Sequence, residues 1–582
     1  MPSQGLFSYL QRAKDRLLEQ LPSSSRPPDY NLPWEQREAI RAFREQQKMI
    51  VVTGDKNIGA VLEYKERYDR LLLEELQSTH EHAEVFFEAN SLDYTGVVSD
   101  LDVLDLVKRR LKYDMLPVAR RLQHLLPDWL FKPTGNGGFL TSACIWNAAA
   151  KLNFKVPWVY LLYKLHKLTL AEVAALWSDL TLPVPIRPVS ANFCWATQPT
   201  AQAVAKLLLP YTRRLPEYIE DSSSLVRQLC RRTFPSATLL VTIDVCKLYP
   251  SIPHAACLRL VKRHLDRNNC PITDLIIKML EIVLSFNFCK VKGSAQLWHQ
   301  TVGFPTGVAC GAEVANIYLH ELIYEDQIVQ YMDNYILLFF RYIDDILIFW
   351  SGVQNDYRAR VDDLCTSLNQ NYVEYNFEIT SEISTVSAVF LDLRLWFGSV
   401  FVASGFIDTG LHQKAISRYL YLPFYTCHPR HTLQGFIRGE FLRYLLRSTH
   451  LEDYVSALTS FYERLQARAY PCSFLNPLFA VAPKFKDRAR LLFADKDTTQ
   501  RSIPFVLKLT YSSLAESLNL GQALEDDRGQ LPSHLRGQPR LVVWKRAPRL
   551  GDALKSNNNN NNNSNPDSTT PPQPPGDVVV ST

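Results

Sequence analysis

Three acids stand apart from the other carboxylates of this 582-residue chain: Asp244, Asp344 and Asp345. Asp-Asp dipeptides occur at 344–345, 362–363 and 526–527, but only the first lies between two apolar runs, FFRY and ILIFW. That pattern predicts two strands joined by a tight turn, with the acidic pair at the turn. Adjacent acids at such a place repel each other and lose hydration, so they stay ionised only beside positive charge. Asp244 has the same signature, closing the apolar run TLLVTI before the break VCKLYPSIPH. Carboxylates converging from two such strands can hold a pair of divalent cations about 4 Å apart, which stabilise the attacking and leaving oxygens of an in-line phosphoryl displacement. A single Asp at a strand end can instead be a cap or a turn residue; the combination of three favours metal chemistry.

Between these acids lies QTVGFPTGVACGAEVANIYLHEL, starting at Gln300. Gly303, Pro305 and Gly307 predict a turn, and Ala309 to Leu322 a helix with small residues on one side. Small side chains admit a base pair and template backbone at close range; the other reading is a glycine-capped helix.

The elements that must position these residues are mixed. Short β-branched or aromatic runs (49–52, 238–243, 336–340, 346–350) predict strands, and 34–48, 201–215 and 272–286 predict helices, an α+β arrangement. With 46% hydrophobic residues the chain can bury a large core in several lobes. The 64 Lys+Arg against 59 Asp+Glu give +5, which tolerates a polyanion without requiring one. Eleven cysteines, with no CxxC pair and no Cys/His cluster at zinc spacing, argue against a disulfide framework or zinc finger. The apolar stretch Tyr335 to Trp350 is broken by Arg341, Asp344 and Asp345 and is too short for a membrane span. The amphipathic opening reads as a surface helix, and SSSRPPDYNLP as a linker. The Asn557–Asn563 tract and the Pro-rich sequence after it cannot bury enough apolar surface to order themselves.

The succession Asp244…Tyr249-Pro-Ser-Ile-Pro-His254, Gly303xxxGly307…Ala315-Asn316 and Tyr342-Ile-Asp-Asp345 resembles motifs A, B and C of reverse transcriptases. Further blocks resemble the Penelope-like retroelement enzymes, a group similar to telomerase catalytic subunits. They are IVVTGDKNIGAV (50–61, with Asn57 where a glycine is usual), YLLYKLHK (160–167, with Tyr163 for proline), IRPVS (186–190), FLDLRLWF (390–397) and the 412–445 segment. The resemblance runs from about residue 35 to 555. It implies a right-hand polymerase with an antiparallel palm sheet. Its expected parts are an N-terminal helix and linker (1–33), fingers with a helical extension (34–235), palm (236–400), thumb (401–515), a basic segment (516–555) and a disordered tail (556–582). The chain passes into its Asn tract where many relatives carry a GIY-YIG endonuclease, so none is expected.

The implied activity is RNA-directed DNA synthesis on a 3′-OH primer. Asp244, Asp344 and Asp345 would bind two Mg²⁺ (or Mn²⁺), with RNA template, DNA primer and dNTPs as partners, no membrane, and a nuclear location. Tyr249 is placed as a steric gate that excludes a 2′-hydroxyl, or else is a core tyrosine. Arg187, Lys164 and Lys167 would clamp the triphosphate, the lysines otherwise being solvated; His166 would support their loop. Gln300 and Asn316 would bond template or nucleotide, or cap the helix between them. Gly303 and Gly307 would admit nucleic acid. Lys414, His428 and Arg443, among Tyr419, Tyr421, Phe424 and Tyr425, suit a duplex grip, a packed thumb core, or both. The basic run Lys108-Arg109-Arg110-Leu-Lys112 is either a nuclear signal or a solvated helix face. Template-independent end extension, or a catalytically silent RNA-binding protein, are the other readings.

Overall fold

The computed structural model describes residues 34–46, 48–55, 60–90, 98–122, 155–292, 294–332, 335–352, 356–370, 378–413, 419–426, 428–494, 505–510 and 540–545. The expected N-terminal helix, the Asn/Pro-rich tail, Lys56, Asn57 and Lys414 lie outside these residues. The chain forms two units, one of residues 48–420 with 444–457, the other of 1–47, 421–443 and 458–582.

At the centre of the first unit is a four-stranded sheet in the order Glu378–Ser384, Thr238–Cys246, Asp345–Ser351, Ile336–Tyr342, every pairing antiparallel. The two middle strands are apolar on both faces because both faces are covered. Trp350 is fully buried with Tyr335 stacked on it at 5.6 Å, while Phe349 stacks on Phe234 at 4.4 Å. A large core joins this sheet to the helices Gln198–Thr212, His254–Arg267, Thr273–Ser285 and Gly311–Leu319. Burial relaxes towards the strand ends that carry Asp244 and Asp345, which are half-buried. The first unit is therefore α+β, built around an antiparallel sheet.

Upstream, a second sheet runs Ala60–Tyr64, Met49–Gly54, Val159–Tyr163, Ile186–Ser190. The expected 201–215 and 272–286 helices run from Gln198 to Thr212 and from Thr273 to Ser285. The helix expected at 309–322 is α-helical only over Gly311–Leu319 and continues as a π-helical stretch, His320–Ile328, which the apolar spacing did not signal. The run containing Lys108 and Arg109 lies on the Asp100–Leu122 helix, where Arg110 pairs with Asp114 at 2.7 Å. No helix among the described residues is long and apolar enough to cross a membrane.

The small sheet His80–His82, Leu297–Gln300, Phe288–Lys290 carries an acid-sensitive group. Burial, then the neighbouring His299, lowers the His80 pKa from 6.5 to about 3. The unfolded chain thus binds the extra proton first, so this contribution is present above pH 6.5 and lost as pH falls towards 3. It amounts to at most ~5 kcal/mol. His80→Gln is expected to flatten the fall in thermal midpoint between pH 6.5 and 4; an unchanged slope would locate the acid sensitivity elsewhere.

Candidate active site

The acidic rim is set by strand register. Asp345 stands directly opposite Asp244 on the neighbouring strand, with Tyr342 opposite Asp345 on the other side. Directly opposed residues project to one face with Cβ atoms about 5 Å apart. Asp344 comes from the two-residue turn between Tyr342 and Asp345, and the Val245 N–H donates to its carbonyl at 3.3 Å. Ile343 in that turn has φ +56°, a strained conformation for a β-branched residue. The rim is thus a pre-shaped but strained element. Hard oxygen donors on two adjacent strands, half exposed, suit a divalent cation of the Mg²⁺ type, which takes one or two carboxylates and fills its other positions with water and phosphate.

The rim carboxylates are not gathered into a tight cage. Among the described residues the group with ligand atoms all within 4.8 Å is His264, His320 and Glu321. Glu321 there is already paired with Arg263, with Arg267 at 3.2 Å and with His264 at 2.9 Å, so that cluster is a salt-bridge network. Depth alone does not mark a catalytic acid either. Asp408 is completely buried, yet it accepts the N–H groups of Gly398, Val400 and Phe401 and pairs with His450.

Beyond Asp244 the chain turns at Lys247, φ +52°, into the short 3₁₀ turn Tyr249–Ser251. Burial raises the Tyr249 pKa; the Asp344 charge, Glu313 and Tyr342 add to this, and Arg187 opposes it. The Tyr249 hydroxyl therefore stays protonated beside the rim. Its ring lies against Gly311, where an added Cβ would be 3.2 Å from Tyr249 Cε1. Gly303 and Gly307 have φ +82° and +113°, and Cβ atoms there would fall 2.5 Å from the Pro250 carbonyl oxygen and 2.3 Å from that of Ser190. The loop between them is held by Ser190 N–H to Thr306 O at 2.9 Å and by Phe304 N–H to Tyr249 O at 2.6 Å. It is wedged between the Ile186–Ser190 strand and the Tyr249 turn.

The expected cations share one field. Burial lowers the Lys164 pKa first, Arg187 and Lys167 lower it further, Asp55 opposes, and Lys247 adds to the lowering. Arg187 is 3.3 Å from the buried Asp55, which orients its guanidinium while leaving it about 41% exposed. Such a gathering of like charges around Lys164 favours a polyanion. Lys247 was not among the residues singled out from sequence; its place three residues after Asp244, at the turn, was the available signal.

Other expected ligands are committed inside the protein. The Gln300 side chain is buried and donates to the Val302 carbonyl at 2.9 Å. Asn316 is 4% exposed and accepts from Arg341 at 2.9 Å. Neither presents a free amide to template or nucleotide. In the second unit, His428 bonds Thr426 at 2.8 Å and Arg443 pairs with Glu440 at 3.2 Å. There Tyr421 packs against Phe436 and Phe461, and Phe424 against Tyr470 and Phe474, while Tyr425 is exposed.

Two family models match the chain. Residues 185–391 match reverse transcriptase (RNA-dependent DNA polymerase), and residues 420–479 match the animal helix-turn-helix domain. The second covers the helices Arg430–Arg447 and Leu451–Ala467. No curated protein matches. Among solved structures, apo telomerase from Candida tropicalis aligns at 9% identity over 83% of this chain and 80% of that one, TM-score 0.41. A form of that enzyme truncated from its C-terminal domain aligns at 12% identity over 39% and 52%, TM-score 0.31. The BmCPV RNA-dependent RNA polymerase at quiescent state aligns at 14% over 52% and 27%, TM-score 0.31. The chain spans about half the length of the truncated telomerase chain. Residues 185–391, which include all three rim aspartates, are a reverse transcriptase domain.

Proposed function

We propose that the protein is an RNA-directed DNA polymerase that adds deoxynucleotides to a primer 3′-OH. The observation that carries this reading is the Asp244–Asp345 register with Asp344 at the adjoining turn, inside the segment that matches reverse transcriptases. Two Mg²⁺ ions, or Mn²⁺, held by these carboxylates would supply charge stabilisation for the attacking 3′-oxygen and the departing pyrophosphate. Arg187, Lys164, Lys167 and Lys247 would bind and orient the triphosphate. Gly303 and Gly307 would keep the loop beside the Tyr249 turn slim, and Lys414, His428 and Arg443 would each contact the duplex backbone. The resemblance to Penelope-like and telomerase-type enzymes supports a retroelement, or a gene retained from one, acting in the nucleus.

Primer extension on a defined RNA template with dNTPs and Mg²⁺ tests this. The expected product is DNA complementary to the template. Product that ignores template sequence would show terminal extension instead, and absence of product with Mg²⁺ and Mn²⁺ despite RNA binding would leave only a binding protein.

Tyr249 would sit under the sugar, its ring wall excluding a 2′-hydroxyl. Tyr249→Ala is expected to lower dNTP-over-rNTP selectivity about 100-fold, chiefly through improved rNTP use. Competition between dNTP and rNTP in the same assay checks it; unchanged selectivity with a folded variant would remove Tyr249 from the sugar pocket.

A further inference from the structure

Arg341 is an arginine inside an apolar strand, 1% exposed, three residues before Asp344. Such a charge is tolerated only when it is paired and hydrogen-bonded; here both Nη groups are bonded and the buried Nε is not. Its Nη2 donates to Glu217 Oε1 at 2.6 Å and to the Asn316 carbonyl at 2.8 Å; its Nη1 donates to Asn316 Oδ1 at 2.9 Å and to the Ile343 carbonyl at 3.2 Å. One guanidinium thus ties together three pieces of chain: the segment at Glu217, the Gly311–Leu319 helix, and the strained turn that carries Asp344.

The backbone repeats the linkage. Arg341 N–H donates to Glu217 O at 2.8 Å and Ile219 N–H to Arg341 O at 3.1 Å, so the 217–219 segment covers the outer edge of the catalytic hairpin. Glu217 is itself held from the other side by His320, whose Nδ1 lies 3.1 Å away. Burial would raise the Glu217 pKa, but Arg341 and His320 outweigh it and bring it to about 2, so this partner stays ionised at working pH.

We infer that Arg341 is a positioning residue, locking the Tyr342–Asp345 turn to the Gly311–Leu319 helix so that the Asp344 and Asp345 carboxylates and the Tyr249 wall hold one geometry. The inference rests on the polymerase reading for its kinetic consequence, not for its structural one. The strain at Ile343 gives it a reason: a turn of unfavourable φ relaxes unless a neighbour bonds its carbonyl. Lysine cannot take over, because it offers a point charge where the guanidinium offers a planar fork reaching four acceptors.

The test uses the full chain with Arg341→Lys, which keeps a cation beside Glu217, and with the neutral pair Arg341→Gln/Glu217→Gln, which keeps hydrogen-bonding groups in both positions. Two readouts are taken: primer-extension kinetics, and Mn²⁺ titration of the protein followed by electron paramagnetic resonance, with Asp344→Ala as the blank. For both variants, kcat is expected to fall between 10- and 100-fold, roughly the loss that follows when the groups orienting metal ligands are removed. The dNTP KM should change less than about threefold, and Mn²⁺ binding should weaken about tenfold. A merely structural arginine would lower the thermal midpoint and leave these ratios alone. Folded variants with wild-type kcat and wild-type Mn²⁺ affinity would overturn the inference and leave the polymerase reading intact. If no form makes product, the polymerase reading fails, and the Mn²⁺ titration alone decides: weakened binding supports the positioning role and equal binding overturns it.

Discussion

Asp244→Asn is expected to reduce primer extension at least about 10³-fold, equivalent to ~4 kcal/mol of transition-state stabilisation, while leaving the protein at least as stable as before. The two effects have one origin. Asp244 faces Asp345 across the strand pair, so two carboxylates rise from Cβ atoms about 5 Å apart at a half-buried rim. Neutralising one relieves a repulsion of up to ~1 kcal/mol in the metal-free protein. The amide keeps the shape of the carboxylate and loses the charge that would bind the cation. Parallel measurement of extension rate and thermal midpoint in chelator separates the alternatives: lost activity with an equal or higher midpoint marks a functional carboxylate kept at a cost in stability. A midpoint that falls by several degrees would instead mark Asp244 as a structural acid, as Asp408 is.

Gly307→Ala is expected to have the next largest effect. At φ +113° an L residue is strained, and the new Cβ would lie 2.3 Å from the Ser190 carbonyl oxygen, a backbone atom with nowhere simple to move. Either the 303–307 loop or the Ile186–Ser190 strand must shift. The loop also bonds the Tyr249 turn through Phe304, and the strand carries Arg187, so a shift in either reaches the proposed nucleotide pocket. We expect a loss of about 2 kcal/mol in stability and roughly 100-fold in kcat/KM for dNTP. Gly439→Ala supplies the contrast. That glycine lies in the Arg430–Arg447 helix with nothing within 4 Å of an added Cβ, and the change should stabilise by about 0.5–1 kcal/mol. Equal effects of the two substitutions on the thermal midpoint would contradict this reading of the Gly307 contact.

Much of the site was legible because local pattern and chemistry coincide there. An acidic pair between two β-branched and aromatic runs can be little other than a hairpin turn, and Asp244 at the end of TLLVTI has the same logic. Glycines at 303 and 307 were legible as turn residues because backbone at positive φ selects for them. The strands expected at 49–52, 238–243, 336–340 and 346–350 lie within strands two to three residues longer, since a pleated run extends as far as its neighbour continues to pair. The continuation of the Gly311–Leu319 helix as π-helix was not legible, because one altered hydrogen-bond step leaves no mark on composition.

What amino-acid order determined by itself is the inventory: three aspartates at strand ends and the turn between them, slim turns, a tyrosine five residues after the first aspartate and a scatter of cations. Tertiary structure decided their assignments. Asp244 and Asp345 share a face only because their strands pair in one register, across about a hundred residues, and a slip of one would turn one carboxylate to the opposite side. Asn316 and Gln300, read from their types as ligands or helix caps, bond Arg341 and Val302 because a buried polar group is costly without a hydrogen bond. Arg341 was visible as a charge interrupting an apolar run, but its partner Glu217 lies 124 residues earlier. A buried charge announces itself locally by being out of place; which opposite charge meets it is fixed by packing of distant segments, to which local sequence carries no guide.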